Sequence, residues 1–156
     1  MNKKKVLFIS SEGGHLDELQ QINFNNYNYE IVTEKTETTK GLKNKYKGKV
    51  HYLIYGTRHN LFKYFFVMIA NFFISNYIFF KIRPDVVVTT GTHTAVLMCY
   101  IAKIFRKKVI WIETFANSKS KTLAGRLVYP IADTFVVQWE SMKKIYKKAE
   151  YWGSIY

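Results

Sequence analysis

VLFISSEGGHLDELQ, residues Val6–Gln20, decides the fold class. An apolar run, Val6–Ser10, reads as a strand and stops at a polar turn with two adjacent glycines, Gly13 and Gly14. From His15 to about Ile22 the apolar spacing is that of a helix. Strand, glycine turn and helix form one α/β unit, and the pattern recurs. Tyr29–Thr33, Val50–Tyr55, Asp85–Thr90, Lys108–Ile112 and Thr134–Gln138 read as further strands with helix-like segments between them. VVV and VIWI within them are continuously apolar rather than alternating, which suits strands covered on both faces. The order predicts an α/β, doubly wound parallel sheet of Rossmann-like type. The polar stretch Glu34–Lys49 reads as a long exposed loop that carries at most a short helix. With no internal repeat and no Pro/Gly-rich linker, 156 residues are expected to form one domain over positions 1–156.

In such sheets ligands bind beyond the carboxyl ends of the strands. Those ends carry SSEGGH (Ser10–His15), TTGTHT (Thr89–Thr94), ETFANS (Glu113–Ser118) and QWES (Gln138–Ser141), so a site is expected among these four loops. After the first strand, free backbone N–H groups and the helix dipole favour an anion, with Ser11, Gly13 and Gly14 as candidate phosphate contacts. At the fourth strand Thr90, Gly91, Thr92 and His93 repeat the arrangement, and Thr92 or Thr94 is suited to capping the next helix. Two such turns on neighbouring strands suggest a pyrophosphate-sized anion site. His15, at a helix start facing the crevice, suits a neutral ring that accepts a proton; a ring that merely caps or packs is the alternative. The dinucleotide fingerprint and the phosphate-loop pattern are absent, although Glu34 stands where a ribose-binding acid would be expected. No cofactor and no metal site is predicted.

The formal charge of +13 points to an anionic partner. The charge is nearly all lysine, in a chain also rich in Asn, Ile, Tyr and Phe, a mixture that AT-rich coding produces as well. A nucleic-acid module using KNKYKGK (Lys43–Lys49) would need arginines and stacking aromatics that do not accompany the run, and a solvated loop accounts for it better. Cys99, alone in AVLMCYIA, reads as a buried structural thiol. A single cysteine and an N-terminal apolar run too short for a signal peptide predict a cytoplasmic protein.

Between Lys63 and Lys81 lie 17 residues without a charge, YFFVMIANFFISNYIFF. At ~1.5 Å per residue a helix of that length spans ~25 Å, marginal for a bilayer. A crossing here would put the first three strands and the last three on opposite sides of a membrane, where one sheet could not form. Two readings are open: a buried crossover helix, or a helix whose excess apolar face enters the headgroup region. Only Lys63, Asn71, Ser75 and Asn76 are available for a polar outer stripe. Phe65, Phe66, Phe72, Phe73 and Phe79 are the expected membrane contacts.

The glycine turn, PDVVVTTGTHT, the block IWIETFANSKSKTLAGRLVYPIADTFVVQW and the closing AEYWG resemble the asparagine-linked glycosylation 14 family over essentially the whole chain. Its bacterial members include capsule and exopolysaccharide proteins of the PssD and EpsE type. The glycine turn also resembles, over a shorter stretch, the first loop of the MurG transferase. The resemblance implies the acceptor-side half of a GT-B glycosyltransferase, with a separate donor-side subunit binding the UDP-sugar and no donor domain after Trp152–Gly153. It implies a lipid-linked saccharide acceptor on a polyprenyl diphosphate. With the lysine charge and the aromatic segment beside it, the expected position is peripheral on the inner face of the cell membrane, the segment contacting an anionic surface, and no nucleic-acid partner is expected. His15 becomes the expected general base on the acceptor hydroxyl and Glu113 the second catalytic candidate, with Thr114 beside it. An N-cap or an ion pair with Arg126 is the plainer role for Glu113. A complete small nucleotide-binding enzyme is a further alternative, disfavoured by the missing phosphate motifs.

Overall fold

Among the described residues the six apolar runs become parallel strands, and a two-residue strand near the C-terminus joins the sheet as a seventh. The computed structural model describes residues 4–57 and 59–156; the first three residues of the basic start and Arg58 lie outside the described residues. The strands are β1 Lys5–Ser10, β2 Asn28–Lys35, β3 Val50–Ile54, β4 Val86–Gly91, β5 Lys108–Ile112, β6 Thr134–Val137 and β7 Glu150–Tyr151. The helices are α1 Gly14–Gln20, α2 Leu42–Lys45, α3 Leu61–Ile82, α4 His93–Ile104 and α5 Leu123–Val128. The sheet runs in the order β3-β2-β1-β4-β5-β6-β7 with every neighbouring pair parallel. This is the Rossmann-like, doubly wound fold that the sequence predicts. The order reverses between β1 and β4, which opens a crevice beyond their carboxyl ends.

Alternate residues of each strand feed two cores. Leu7 and Ile9 of β1 join Val87, Val109, Trp111 and Val137 beneath α3, α4 and α5. Val6 and Phe8 point the other way, toward Leu19 of α1 and the Phe24–Tyr29 aromatic group. Cys99 is buried in the first of these, its thiol pushed up by burial.

Several boundaries differ from the sequence reading. Glu34 is not in an exposed loop: β2 continues through Lys35, and Glu34 and Thr39 are buried beneath the turn that follows. β7 escapes a reading by periodicity because two residues cannot display a period. Thr92 stands at the N-cap of α4 but makes no side-chain cap bond, and Thr94 is buried with its hydroxyl unpartnered among the described residues.

α3 is where expectation and structure part most. Asn60 caps it, its Oδ1 accepting from Lys63 N–H at 3.0 Å, and Arg83 ends it in the left-handed region. Of the four polar residues expected outside, Lys63 is exposed and Asn76 half-buried, but Asn71 and Ser75 point inward. Asn71 is buried, accepting from Ile54 N–H and donating to Ile54 C=O, both at 2.8 Å, so it pins the end of β3. Such bonds are worth about 1 kcal/mol each, and an orphaned buried amide costs more. Ser75 is buried too, while Phe62, Phe65, Phe66, Phe72, Phe73 and Tyr77 are exposed. Phe79 corrects the expected membrane contacts: it is 3% exposed and packs with Ile78 and Ile82, whereas Phe73 is 66% exposed. None of the ten residues Leu61–Ala70 is buried, so the first turns of α3 overhang the core on the side of the crevice. By length and composition α3 could cross a membrane. The strands it joins, β3 and β4, belong to one sheet, which is incompatible with a crossing here.

Candidate functional site

The β1–α1 turn is built on Gly13, whose φ of 77° and ψ of −145° lie in a region open only to glycine. Its carbonyl accepts from Leu16 and Asp17 N–H, the first bonds of α1, so the N–H groups of Gly14 and His15 are left outside the helical ladder. A Cβ on Gly14 would meet no protein atom within 4 Å. The fold therefore does not itself demand a glycine there. Ser11 is buried and ties the turn to β4, its N–H donating to Gly91 C=O at 3.0 Å.

His15 crosses to the β4 turn. Its Nδ1 lies 2.7 Å from Thr90 C=O, and the Thr90 hydroxyl donates back to His15 C=O at 2.6 Å. A carbonyl can only accept, so in the neutral ring Nδ1 carries the proton and the Nε2 lone pair is left to accept another. Gly91, at φ 103°, lets the ring lie against the turn: a Cβ there would come within 3.3 Å of Nδ1 and 3.5 Å of the Trp111 indole.

A cavity of about 60 Å³ joins His15 to Thr90, Gly91, Thr92, Glu113 and Thr114, with Trp111, Thr122 and Ala124 completing its wall. Six sequence-predicted residues thus meet in one space. Glu113 is 1% exposed and takes neither of the plainer roles expected of it. Its Oε2 accepts from Trp111 Nε1–H at 3.0 Å and from the Tyr146 hydroxyl at 3.5 Å, and Thr122, not Glu113, caps α5. Arg126 is exposed and forms no pair with it. Burial pushes the Glu113 carboxyl up from its ordinary range, while hydrogen bonds from Thr122 and Trp111 and the charge of His15 pull it back. Its Oε1 is buried without a hydrogen-bond partner among the described residues. The Tyr146 hydroxyl is likewise pushed up, first by burial and then by the charge of Glu113.

Two features of the site escape a reading of the sequence, and a third is only half visible in it. Gly125 is required by close approach, because a Cβ there would lie 2.5 Å from the Tyr146 hydroxyl and 2.7 Å from Thr122 Oγ1, and closer still to Glu113. Glu18, on the inner face of α1, accepts from Thr114 Oγ1 at 2.7 Å, Phe115 N–H at 3.0 Å and Gln138 Nε2 at 3.3 Å. It positions the loop that carries Glu113, and it engages the Thr114 hydroxyl. The approach of Gly125 to Glu113 and Tyr146, and the contacts of Glu18, join residues distant in sequence and are invisible to local pattern. Glu34 does have a sequence signal, its place at the end of β2, but its partners do not. Its Oε2 accepts from Glu12 N–H at 3.2 Å, Gly56 N–H also donates to it, and His93 Nε2 stands 3.6 Å from Oε1. Glu12 in turn accepts from Thr36 and Thr38 hydroxyls at 2.8 and 2.9 Å. Burial raises the Glu34 carboxyl to about 7.

His93 is set apart from the other site residues. It lies against the Tyr64 ring at 5.5 Å and lines a second, apolar groove of about 210 Å³ between α3, α4 and α5. Among the described residues no group of three or more His, Cys, Asp or Glu is placed to hold a metal ion.

Against known proteins, residues 6–155 match the family described as oligosaccharide biosynthesis protein Alg14 like. The UDP-N-acetylglucosamine transferase subunit alg14 of Schizosaccharomyces pombe is 40% identical over 77 residues, 46% of this chain and 37% of that protein. The subunit of the same name in Debaryomyces hansenii is 27% identical over 173 aligned positions, covering 95% of this chain and 74% of that one. The matches to the first three relatives span only 37%, 42% and 35% of their lengths. The crystal structure of MurG from Acinetobacter baumannii superposes with a TM-score of 0.71 at 15% identity, over 88% of this chain and 42% of that chain, a likeness of fold. The chain belongs to the Alg14-like family of oligosaccharide biosynthesis proteins.

Proposed function

We propose that this protein is the acceptor-side subunit of a two-chain, UDP-sugar-dependent glycosyltransferase, one Rossmann-like domain over residues 1–156 whose donor-side half is a separate polypeptide. Its acceptor is a sugar on a polyprenyl diphosphate. The process is surface-polysaccharide synthesis of the capsule or exopolysaccharide kind, with the protein peripheral on the inner face of the cell membrane. The observation that carries this reading is His15, held by Thr90 C=O with Nε2 free to accept a proton, in the crevice at the sheet's switch point. The relatives' printed name, a UDP-N-acetylglucosamine transferase subunit, supports a divided enzyme.

The geometry supports the following chemistry. His15 Nε2 takes the proton of the acceptor hydroxyl as its oxygen bonds to the anomeric carbon and the bond to UDP breaks, UDP leaving with the electron pair. The open turn at Gly13 and Gly14, with Thr92 across the crevice, holds the diphosphate through backbone N–H groups. Glu113 offers Oε1 to an acceptor hydroxyl while its Oε2 stays bound to Trp111. The outward phenylalanines Phe65, Phe66, Phe72 and Phe73 enter the headgroup region, and lysines at its margin attract anionic lipid. The test is sugar transfer from a UDP-sugar to a polyprenyl-diphosphate sugar, measured with this chain alone and with the donor-side chain added. Transfer only with both chains is expected. Robust turnover by this chain alone would contradict a divided enzyme.

A further inference from the structure

The small polar cavity and the larger apolar groove are neighbours. Ala124 lines both, and the consecutive residues Thr92 and His93 line one each. From this junction the groove runs between Tyr64 and Met68 of α3, Val96 and Leu97 of α4, and Leu123 and Leu127 of α5. It is about 210 Å³ in volume, below the roughly 300–1,000 Å³ of drug-sized pockets, so it fits a slender chain and not a helix. Leu123 and Leu127 are exposed at its margin, and the overhanging first turns of α3 form the opposite side. Among the described residues, Tyr64 and His93 are the only polar side chains in its lining. An extended peptide would leave backbone N–H and C=O groups unpaired there, whereas a hydrocarbon chain needs no such partners.

We infer that this groove seats the first isoprene units of the acceptor's polyprenyl chain, leading from the diphosphate at the β1–β4 crevice toward the exposed aromatic face of α3. The inference rests on the proposal of a lipid-diphosphate acceptor. The groove is then a chain-proximal subsite: the polar head lies against His15, and the lipid leaves the protein where α3 presents its phenylalanines.

The test is isothermal titration calorimetry of the whole chain with inorganic diphosphate, dimethylallyl diphosphate, geranyl diphosphate, farnesyl diphosphate and geraniol, all below their micelle concentrations. Half-burying an isoprene unit tightens binding about tenfold. Affinity is therefore expected to rise about tenfold from inorganic to dimethylallyl diphosphate, about tenfold again to geranyl, and to level off at farnesyl. Geraniol should bind far more weakly than geranyl diphosphate. Leu123→Gln with Leu127→Gln changes exposed positions only; it should bind inorganic diphosphate as the wild type does and lose most of the gain with chain length. Diphosphate binding that is flat across the series, or a gain that survives the double substitution, overturns the groove while leaving the acceptor proposal standing. If none of the diphosphates binds, the acceptor proposal falls and the groove with it.

Discussion

Replacing Glu34 by glutamine removes a titratable group from beneath the crevice and keeps its shape. The carboxyl is 1% exposed, and burial raises it from an ordinary 4.5 to about 7, only partly countered by the Glu12 and Gly56 N–H groups. At pH 4 it is protonated in the folded and the unfolded chain alike, so it does not affect stability. As pH rises past the unfolded value, the unfolded chain ionises while the folded chain does not, and stability falls until about pH 7. With ~1.36 kcal/mol per unit, the wild type loses about 2.5 kcal/mol between pH 5 and pH 8 through this group. Glutamine accepts the same two N–H bonds through its carbonyl and presents its amide to His93. Glu12 and His93, the titratable groups that face position 34, remain in the variant, so the difference between the two profiles isolates Glu34. Urea unfolding at half-unit pH steps should show Glu34→Gln falling about 2.5 kcal/mol less than the wild type from pH 5 to pH 8. Parallel profiles, or a wild type that gains on the variant as pH rises, would refute the buried neutral carboxyl.

Other outcomes follow from packing. Gly125→Ala pushes a methyl group into Glu113, Thr122 and Tyr146, and should lower stability by about 1–3 kcal/mol, seen as a reduced Tm. Phe62→Ser, Phe65→Ser and Phe73→Ser together should leave the circular dichroism spectrum unchanged and release the protein from anionic vesicles in flotation. Phe79→Ser should instead cost about 3–5 kcal/mol, because its ring is in the core. Salt should weaken vesicle binding by the wild type, since the lysines act through screened charge.

The sheet was legible where strands are continuously apolar: the valines of β4 and the VIWI of β5 mark themselves as covered on both faces. The crevice was legible too, because the turn after β1 carries Gly13, Gly14 and His15 and the end of β4 carries Gly91. α3 was misread in one respect that composition cannot reveal. Asn71 and Ser75 look like the polar stripe of a surface helix, yet they face the core, and only the pairing of Asn71 with Ile54 shows why. Phe79 and Phe73 are equivalent in a list of aromatic residues and opposite in burial. Glu34 read as loop because its neighbours Lys35–Lys40 are polar, although its own surroundings come from Glu12, Gly56 and His93. Glu18 joins α1 to a loop 96 residues away, a relation that no local pattern records.

The measurement that bears most directly on the acceptor-side proposal is kcat and KM for a polyprenyl-diphosphate sugar with His15→Ala, in complex with the donor-side chain. In the proposed reading His15 Nε2 is the proton acceptor, its ring held by the Thr90 carbonyl, and a general base typically contributes ~10²–10⁴-fold. kcat should fall by that order with KM little changed. A raised KM at nearly constant kcat would make His15 a phosphate contact, and a lowered Tm with both constants intact would make it a packing residue. An unchanged kcat contradicts His15 as the base.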